Sequence, residues 1–308
     1  MSEVPVLDVV VATRDTRDVT LRCADAVLGE RTAGLDVHLI VVDNGSRDGT
    51  PDAIAERWPE VTMLRNDVDP GYARACNQGV RAGAGEFVLI LNSDAFPRPA
   101  ALERLVAALL AHPDYSVVGG LLVDVGTDRP QVGFAVRGYP TLPGQVGLLL
   151  GLERLWPGNP LSRRQALPDF DYSRSQEIDA QPAGACLACR RDDFEAIGGF
   201  DESFHYWFED VDLVQRLRTR GQVAYVHDAV FDHIGSATFS QWKRPQVVRA
   251  RYRGLLRYFR KHRSPAAVLG LRVVVGVLAA VRAVPLALFA PAQARAYFYV
   301  IRLALFGG

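Results

Sequence analysis

The sequence predicts an α/β fold in which helices flank one open, mostly parallel β-sheet. Short β-branched runs recur along the first half of the chain, and each ends in polar turn residues, as buried strands of parallel sheets do. Helix-like stretches separate these runs at the spacing typical of strand–helix–strand units. The 308 residues are 49% hydrophobic and 23% charged, a composition that supplies a globular core.

The elements of the first 123 residues alternate regularly. Five runs are predicted to be strands, at residues 6–13, 36–46, 61–66, 86–94 and 115–123. Helices are predicted between them, at about residues 16–29, 50–57, 72–83 and 100–112. The second helix has a clear start, since Thr50 suits the N-cap position and Pro51 suits the first helical position.

Beyond residue 123 the periodicity weakens. Residues 124–180 are rich in Gly, Pro and Arg, so loops and short strands are predicted there, as an insertion on the substrate side. Regular structure is predicted again after this stretch, as a strand at 182–191, a short helix at 192–200, a helix at 210–220 closed by Gly221, and one or two strands at 222–233.

The charge is distributed unevenly although the formal net charge is zero. No acidic residue follows Asp232, and thirteen Lys and Arg residues lie between Lys243 and the end of the chain. Such asymmetry favours contact with an anionic partner, which is a membrane surface, a nucleic acid or the acidic part of the protein itself. No nucleic-acid recognition motif accompanies the cations, so no nucleic-acid partner is expected.

A basic helix is predicted at residues 243–263, followed by an apolar stretch. Arg272, Arg282 and two prolines interrupt that stretch, and no uncharged run approaches the roughly 18 residues that predict a spanning helix. Two interpretations remain open for this tail. It is either a packed helical cap or an interfacial anchor that holds the protein peripherally on a membrane.

The start of the chain and its cysteines favour the cytoplasm. The first ten residues lack the basic start and long apolar run of a secretion signal, and four cysteines are few for a disulfide framework. Cys186 and Cys189 form a CxxC pair, but no second pair stands at metal-binding spacing. Buried thiols are therefore favoured over a zinc or redox site.

Polar residues stand where predicted strands end, at Thr13, Asp43 and Asp94. Ligands of open α/β sheets bind beyond these ends, so the three residues are expected around one crevice. Asp43 suits either an Asx turn or a hydrogen bond to a ribose or base. Asp94 suits either a turn or a ligand for Mg²⁺ or Mn²⁺. His233 ends another apolar strand and is either a structural residue or a metal ligand.

The stretch FHYWFEDVDL, residues 204–213, places three carboxylates behind aromatic residues. Glu209, Asp210 and Asp212 suit the first turn of a helix, where acidic side chains interact with the positive end of the helix dipole. Alternatively, aromatic neighbours partly desolvate a carboxyl group and raise its pKa, which makes it a better base. Such a base can take a proton from a hydroxyl nucleophile.

Taken in order, four segments resemble glycosyltransferase family 2. They are VVVAT with VVDNGSRDGT; GYARACNQG; GEFVLILNSD; and GACLACRRDDFEAIGGFDESFHYWFEDVDLVQRLRTRG through DAVFDH. The sequence is most similar to the bacterial rhamnosyltransferase-like branch, which builds cell-surface polysaccharides. The resemblance implies a GT-A fold with a Rossmann-like sheet. It also implies a catalytic domain at 1–240, divided into nucleotide-sugar binding (1–123) and acceptor side with base (124–240), before a helical region at 241–308.

The resemblance implies a role for each matching residue. Four positions match residues that bind the nucleotide-sugar: Thr13, Asp43, Asn77 and Asp94. Asp94 and His233 would also bind the metal, Mg²⁺ or Mn²⁺. Asp210 would be the catalytic base, and Trp207 and Glu209 would lie on the acceptor side.

The implied reaction is an inverting hexosyl transfer in which Asp210 deprotonates an acceptor hydroxyl. The donor would be dTDP-rhamnose or a UDP-sugar, and the acceptor a glycan, a polyprenyl-linked sugar or a small molecule. Two positions depart from the family pattern. Arg14 and Asp15 replace the usual Tyr-Asn, and Asn92-Ser93-Asp94 offers one acid where the metal-binding motif usually has two.

Two alternatives to a transferase remain open. The first is a non-catalytic nucleotide- or glycan-binding protein derived from a transferase, although the intact acidic residues disfavour it. The second is a sugar-nucleotide pyrophosphorylase, which would need a glycine-rich phosphate loop after the first strand. No glycine occurs before Gly29, so this alternative is disfavoured as well.

Overall fold

The computed structural model describes residues 4–235 and 242–307, built around one nine-stranded mixed sheet. Its strands are β1 (Val6–Thr13), β2 (Asp36–Asp43), β3 (Thr62–Arg65), β4 (Phe87–Asn92), β5 (Ala95–Pro97), β6 (Tyr115–Asp124), β8 (Gln176–Glu177), β10 (Cys186–Arg190) and β11 (Gln222–His233). A separate two-stranded sheet pairs β7 (Val136–Arg137) with β9 (Gln181–Pro182).

Helices cover both faces of the large sheet and form the carboxyl-terminal region. They are α1 (Arg17–Leu28), α2 (Thr50–Arg57), α3 (Tyr72–Ala82), α4 (Ala101–Ala111), α5 (Leu142–Leu149), α6 (Leu152–Leu155), α7 (Arg163–Ala166), α8 (Arg191–Ala196), α9 (Glu209–Leu217), α10 (Arg244–His262), α11 (Pro265–Phe289) and α12 (Pro291–Phe306). The predicted α/β fold is therefore confirmed.

The central strands are apolar on both faces because each face meets helices. In β1, Val9 and Val11 belong to the core under α1, α2 and α4, whereas Val10 and Ala12 belong to the core under α3, α8 and α9. A strand that is buried on both faces is a continuous apolar run in the sequence. Polar and apolar residues therefore do not alternate along β1.

The pairing is more mixed than the sequence predicts. Strands run in the order β3-β2-β1-β4-β10-β6-β11-β5, and the first four are parallel. β10 is antiparallel to both of its neighbours, β4 and β6. The prediction of a mostly parallel sheet thus holds for the amino-terminal strands and for the pair of β6 and β11. The antiparallel pairings involve β10 and the short strands β5 and β8, and β10 enters the sheet after a long irregular segment rather than after a helical crossover.

Three element predictions are wrong in detail. Gly49, with φ +79°, precedes α2, and the Asp48 carboxylate accepts the Thr50 N–H at 3.0 Å, so Thr50 lies inside the helix and is not its cap. Residues 124–180 contain α5, α6 and α7, which the sequence hides because glycines interrupt the apolar pattern of α5 and because α6 and α7 are only four residues long. The helix predicted at 210–220 is α9, and it ends at Leu217, well before Gly221.

The carboxyl-terminal helices form a third hydrophobic cluster together with Phe204 and Val211. The prediction that Pro285 interrupts this stretch is wrong, because α11 continues through Pro285. The helix ends at Phe289, and Ala290 is its C-cap. By length and composition α11 is apolar enough to cross a membrane. The predicted boundary at residues 240 and 241 lies outside the described residues.

All four cysteines are buried and free of disulfides, in agreement with the prediction of buried thiols. Burial raises the pKa of Cys186 and of Cys189 to about 12, so both remain protonated thiols at neutral pH.

Candidate active site

The predicted base, Asp210, lies in the first turn of α9 beside a cavity of about 180 Å³. Its Oδ2 accepts a hydrogen bond from the Gly184 N–H at 3.2 Å and lies 3.9 Å from Arg137 Nη2. A Cβ at position 184 would come within 2.5 Å of the Asp210 Cβ, so only glycine leaves room for this carboxylate. Strand β10 therefore orients Asp210 through a glycine that lies just before the strand.

Trp207 and Phe208, which precede the carboxylates, both have left-handed backbone conformations, with φ of 65° and 71°. Each costs about 1–3 kcal/mol for a bulky side chain, so the surrounding structure must hold the turn in place. Gly254 of α10 supplies one such contact, because a Cβ there would meet the Trp207 carbonyl oxygen at 2.3 Å. The carboxyl-terminal region thus supports the turn that aims Asp210 at the cavity.

Glu209 is buried, and no hydrogen bond from the described part of the chain reaches its Oε2. Burial, and after it the charge of Asp210, raises the pKa of Glu209 to about 8. Glu209 therefore carries a proton at neutral pH. Two adjacent carboxyl groups in different environments are a common arrangement of acid and base in active sites.

Replacing Glu209 by Gln should change how the free energy of unfolding depends on pH. The folded-state pKa of Glu209 is raised from 4.5 to about 8, so the wild type loses stability as the pH rises from about 4.5 to 8. The amide of the Glu209→Gln variant cannot ionise, so the variant should equal the wild type near pH 4 and exceed it at pH 9 by a few kcal/mol, at about 1.4 kcal/mol per pKa unit. Denaturant titrations at several pH values measure the difference, and a constant difference would contradict the assignment.

Asp212, the third carboxylate of this stretch, does not line the Asp210 cavity. It is fully buried, and its carboxylate accepts from Arg216 Nε at 2.8 Å, Lys261 Nζ at 2.8 Å and His262 Nε2 at 2.7 Å. Burial raises the pKa of Asp212, but the hydrogen bonds from His262 and Lys261 outweigh this effect and hold it below its usual range. Asp212 therefore joins α9 to α10.

Asp43 lies at the carboxyl end of β2, opposite Thr13 at the end of β1. Its Oδ2 accepts from the N–H groups of Gly45 at 3.1 Å and Ser46 at 2.9 Å, which is the predicted Asx turn. Its Oδ1 is buried with no hydrogen-bond partner among the described residues. One carboxylate oxygen thus fixes the turn, and the other remains available to a donor N–H group.

Thr13 and Asn77 contact protein groups rather than open space. The Thr13 hydroxyl bonds Thr16 Oγ1 at 3.0 Å and Thr20 Oγ1 at 2.7 Å, a cluster that holds the start of α1. The Asn77 amide donates to the Phe200 carbonyl and accepts from the Phe200 N–H, both at 2.9 Å. Asn77 thus holds the loop after α8 through both of its polar atoms, and its predicted contact with the donor stays a prediction.

Asp94 and His233 come together at the ends of neighbouring strands β5 and β11, with His233 Nε2 at 3.4 Å from Asp94 Oδ1. Gln131 orients the histidine. Its Nε2 donates to Asp124 Oδ1 and to the His233 carbonyl, so its Oε1 accepts from His233 Nδ1 at 2.7 Å. This network fixes the ring so that Nε2 faces the Asp94 carboxylate, an arrangement that suits a cation shared between them.

The residues present fit a divalent metal ion. Within residues 4–235 and 242–307, no hydrogen-bond partner reaches the buried His233 Nε2, and a nitrogen lone pair facing a carboxylate oxygen suits Mn²⁺ or Mg²⁺. No group of three or more His, Cys, Asp or Glu side chains at metal-binding distance occurs in the described part of the chain. The remaining coordination positions would therefore be filled by phosphate oxygens and water.

The Asp210 cavity is also lined by residues that neighbour Asp94 and His233. Asn92, the first residue of the Asn-Ser-Asp motif, lines the Asp210 cavity and accepts from Tyr72 OH at 2.9 Å. Phe134 lines the same cavity and stacks on His233 with ring centroids 5.1 Å apart. Trp207 is part of the wall as well.

Three polar residues near the site were missed by sequence reasoning. Gln131, Arg137 and Gln181 all come from or adjoin the irregular segment after β6, where no periodic pattern predicts their positions. Arg137 and Gln181 are cross-strand partners in the small β7–β9 sheet. This pairing sets Gln181 beside Arg137, which lines the Asp210 cavity.

Comparison with known proteins identifies the family. Residues 8–150 match the family described as glycosyl transferase family 2, and residues 167–232 match the N-terminal domain of galactosyltransferase. The N-acetylglucosaminyl-diphospho-decaprenol L-rhamnosyltransferase of Mycobacterium tuberculosis (strain H37Rv) is 34% identical over 211 residues, 64% of this chain and 66% of that protein. The chain belongs to glycosyltransferase family 2. This membership confirms the predicted class of enzyme and the resemblance to the rhamnosyltransferase-like branch.

Further relatives of this family 2 glycosyltransferase agree with the assignment. Validoxylamine A glucosyltransferase of Streptomyces hygroscopicus subsp. limoneus is 26% identical over 226 residues, which cover 71% of this chain and 49% of that protein. The matched segments thus span less than two thirds of the length of these relatives.

Solved structures share the fold along nearly the whole chain. The mannosyltransferase PcManGT from Pyrobaculum calidifontis, solved in complex with GDP-Man and Mn²⁺, superimposes with a TM-score of 0.56 at 18% identity, covering 99% of this chain and 88% of that chain. S. aureus TarS 1-349 gives a TM-score of 0.53 at 14% identity, covering 98% and 92%. These similarities confirm the GT-A fold.

Proposed function

We propose that this family 2 glycosyltransferase moves a hexose, rhamnose above all, from a nucleotide-diphosphate donor to a hydroxyl group of a lipid-linked glycan, with inversion. The observation that carries the proposal is the single crevice in which Asp210, Asn92 and Phe134 meet, with His233 stacked behind Phe134. Rhamnose and the lipid-linked acceptor rest on the similarity to the decaprenol-dependent relative.

Asp210 acts as the base. Its carboxylate takes the proton of the acceptor hydroxyl as that oxygen forms a bond to the anomeric carbon. The bond from this carbon to the nucleotide diphosphate breaks at the same time, and the electron pair leaves with the diphosphate. Attack from the face opposite the leaving group inverts the anomeric configuration. Arg137 Nη2, 3.9 Å from Asp210 Oδ2, helps to orient the carboxylate.

Asp94 and His233 would hold the divalent metal, Mn²⁺ or Mg²⁺, that accompanies the donor diphosphate. When bound, such a metal would stabilise the negative charge that develops on the departing diphosphate. Gln131 fixes the histidine ring so that Nε2 faces Asp94. This assignment follows the predicted roles of Asp94 and His233 and adds Gln131 as a positioning residue.

Asp43 binds the nucleoside base. Its buried Oδ1 lacks a partner among the described residues and suits the imide N–H that both uracil and thymine present. A UDP- or dTDP-sugar therefore fits this position, whereas the contact does not discriminate between the two. Thr13, whose hydroxyl is committed to Thr16 and Thr20, contributes by holding the neighbouring strand end.

The acceptor sugar occupies a second cavity, of about 330 Å³, that adjoins the Asp210 cavity. Arg137, Trp207 and Phe208 line both cavities. The second cavity adds amide groups that suit sugar hydroxyls, among them Gln181, whose buried Oε1 has no hydrogen-bond partner in the described chain. Trp207 thus keeps its predicted place on the acceptor side.

Turnover with a panel of donors tests the proposal. Nucleotide release is measured from dTDP- and UDP-sugars, with a lipid-linked N-acetylhexosamine as acceptor and with Mn²⁺, Mg²⁺ or EDTA. Release from one donor that requires both acceptor and metal is expected, and NMR of the product should show the inverted anomer. Donor binding without release under any of these conditions would instead indicate a non-catalytic binding protein.

A further inference from the structure

The outward face of α11 is apolar along its whole length. Six side chains spaced three or four residues apart are between 56% and 81% exposed: Leu269, Val273, Val277, Val281, Val284 and Leu288. Phe289 extends this face at the end of the helix. Contiguous exposed apolar surface of this size is uncommon on soluble proteins and marks a site of contact with a partner or a membrane.

The two arginines within α11 do not interrupt this face. Arg272 Nε donates to the Ala304 carbonyl of α12 at 2.6 Å, and its Nη2 donates to the Leu305 carbonyl. Arg282 donates to the Leu149 carbonyl of α5 and to Tyr252 OH. Both guanidinium groups are bound to the protein, so the helix presents a face without charge although arginines divide the apolar stretch in the sequence.

The inward face of α11 is packed against the rest of the protein. Leu271, Val275, Ala279 and Ala283, spaced four residues apart, are fully buried. A helix of 25 residues is about 37 Å long, enough for a hydrocarbon core of roughly 30 Å. Crossing a bilayer would nevertheless separate these side chains and both arginines from their partners, so the geometry favours a helix that lies in the membrane surface.

The neighbouring helices α10 and α12 also carry exposed cations and aromatic rings. Arg295 and Arg302 on α12 are exposed beside Phe298 and Tyr299, and the Arg249 guanidinium of α10 lies 5.7 Å from the Tyr299 ring centroid. Exposed cations next to interfacial aromatic residues are typical of surfaces that bind anionic lipid.

The charge of the tail also argues against a second copy of this chain as the partner. The tail has thirteen cations and no acidic residue, so two copies joined through α11 would bring like charges together. Some of these cations neutralise the protein's own acids, as Lys261 does for Asp201 and Asp212. The predicted contact with the protein's own acidic part therefore accounts for some of the excess positive charge of the tail. The exposed arginines are left to contact a separate anionic partner.

We propose that the outward face of α11, together with the exposed arginines of α10 and α12, docks the enzyme on the surface of an anionic lipid bilayer. The apolar side chains enter the boundary between headgroups and acyl chains, and the arginines bind lipid phosphates. This inference gives the lipid-linked acceptor of the proposed function a place to meet the enzyme, although the docking itself does not depend on that function.

Vesicle flotation of the full chain tests the docking surface. The wild type should float with vesicles of phosphatidylcholine and phosphatidylglycerol, less with phosphatidylcholine alone, and less at high salt. The double variant Leu269→Glu/Val277→Glu should bind the anionic vesicles about tenfold or more weakly, because two apolar side chains are replaced by anions. Both positions are exposed, so the variant is expected to fold.

A matched control makes the same change elsewhere. Val4→Glu/Leu110→Glu replaces one exposed valine and one exposed leucine, 48% and 51% exposed, and should bind vesicles like the wild type. Equal binding by both double variants, or no binding by the wild type, would overturn the proposal. Wild-type protein that resists alkaline extraction from the vesicles would instead show that α11 spans the bilayer. A wild-type dimer that the first variant alone converts to a monomer, without vesicle binding, would show that α11 covers a second copy.

Transfer to a short, water-soluble acceptor separates this result from the proposed function. The Leu269→Glu/Val277→Glu variant should retain wild-type turnover with that acceptor while losing vesicle binding. A wild type that floats but turns over no acceptor would contradict the transferase proposal and leave the docking surface standing.

Discussion

Replacing Asp210 by Asn should lower kcat by about 10²–10⁴-fold, the range that a positioned general base contributes. Asn has nearly the shape of Asp, and its side-chain oxygen can accept the hydrogen bond from the Gly184 N–H. Its side chain, however, cannot take up a proton at neutral pH. Because Asp210 is proposed to act on the acceptor, the affinity for the donor should change little. Steady-state kinetics for turnover, together with calorimetric titration of the donor nucleotide, measure the two effects separately.

A matched control for Asp210→Asn lies two residues away. Asp212→Asn makes the same chemical change in the same helix, but Asp212 bonds Lys261 and His262 instead of facing the cavity. This variant should lose stability, while the folded fraction keeps most of its turnover at low temperature. If both variants lost turnover equally, or if Asp210→Asn retained it, Asp210 would not be the base.

Replacing His233 by Ala should weaken Mn²⁺ binding in the presence of nucleotide diphosphate by more than about 100-fold, because a direct ligand is lost. Gln131→Leu should weaken it by about 10–100-fold, the usual cost of losing a group that orients a metal-bound histidine. Mn²⁺ titrations followed by electron paramagnetic resonance measure both variants without any need for turnover.

The two variants, His233→Ala and Gln131→Leu, also distinguish a metal site from a structural histidine. His233 stacks on Phe134 and is fully buried, so a merely structural role would make both variants less stable without any change in Mn²⁺ affinity. Thermal unfolding of each variant provides this control. Unchanged affinity in His233→Ala would remove the histidine from the metal site and leave Asp94 as the only protein ligand that we propose.

Much of the fold could be predicted because buried strands and amphipathic helices leave local patterns. The runs at β1, β2 and β6 are apolar because helices cover both faces of the sheet. The antiparallel insertion of β10 leaves no such pattern, since strand direction depends on where the chain re-enters the sheet. Glycines reduce the helix propensity of α5, and α6 and α7, at four residues each, are too short to show a helical period, so these helices could not be predicted.

The site was predictable only in part, because sequence locates polar residues at strand ends but not the direction of their side chains. Asp210 and Asp212 are separated by about 200° around the helix axis, so they cannot face the same cavity. The sequence alone does not decide which of the two carboxylates faces it. Asn77 matched a family position and turned out to bind a loop. Gln131 and Arg137 came from a stretch without periodicity, and only tertiary structure brings them to the crevice.

The contact between Gly254 and the Trp207 carbonyl ties two properties of this enzyme together. The helix that carries the arginines of the tail also supports the strained turn that aims the base. If the helix docks on a membrane and Asp210 is the base, as proposed, the place where the enzyme works and its rate are not independently adjustable traits. Homologous tails could be exchanged in evolution, or by an engineer, only if the new helix presented an equally small residue at this point.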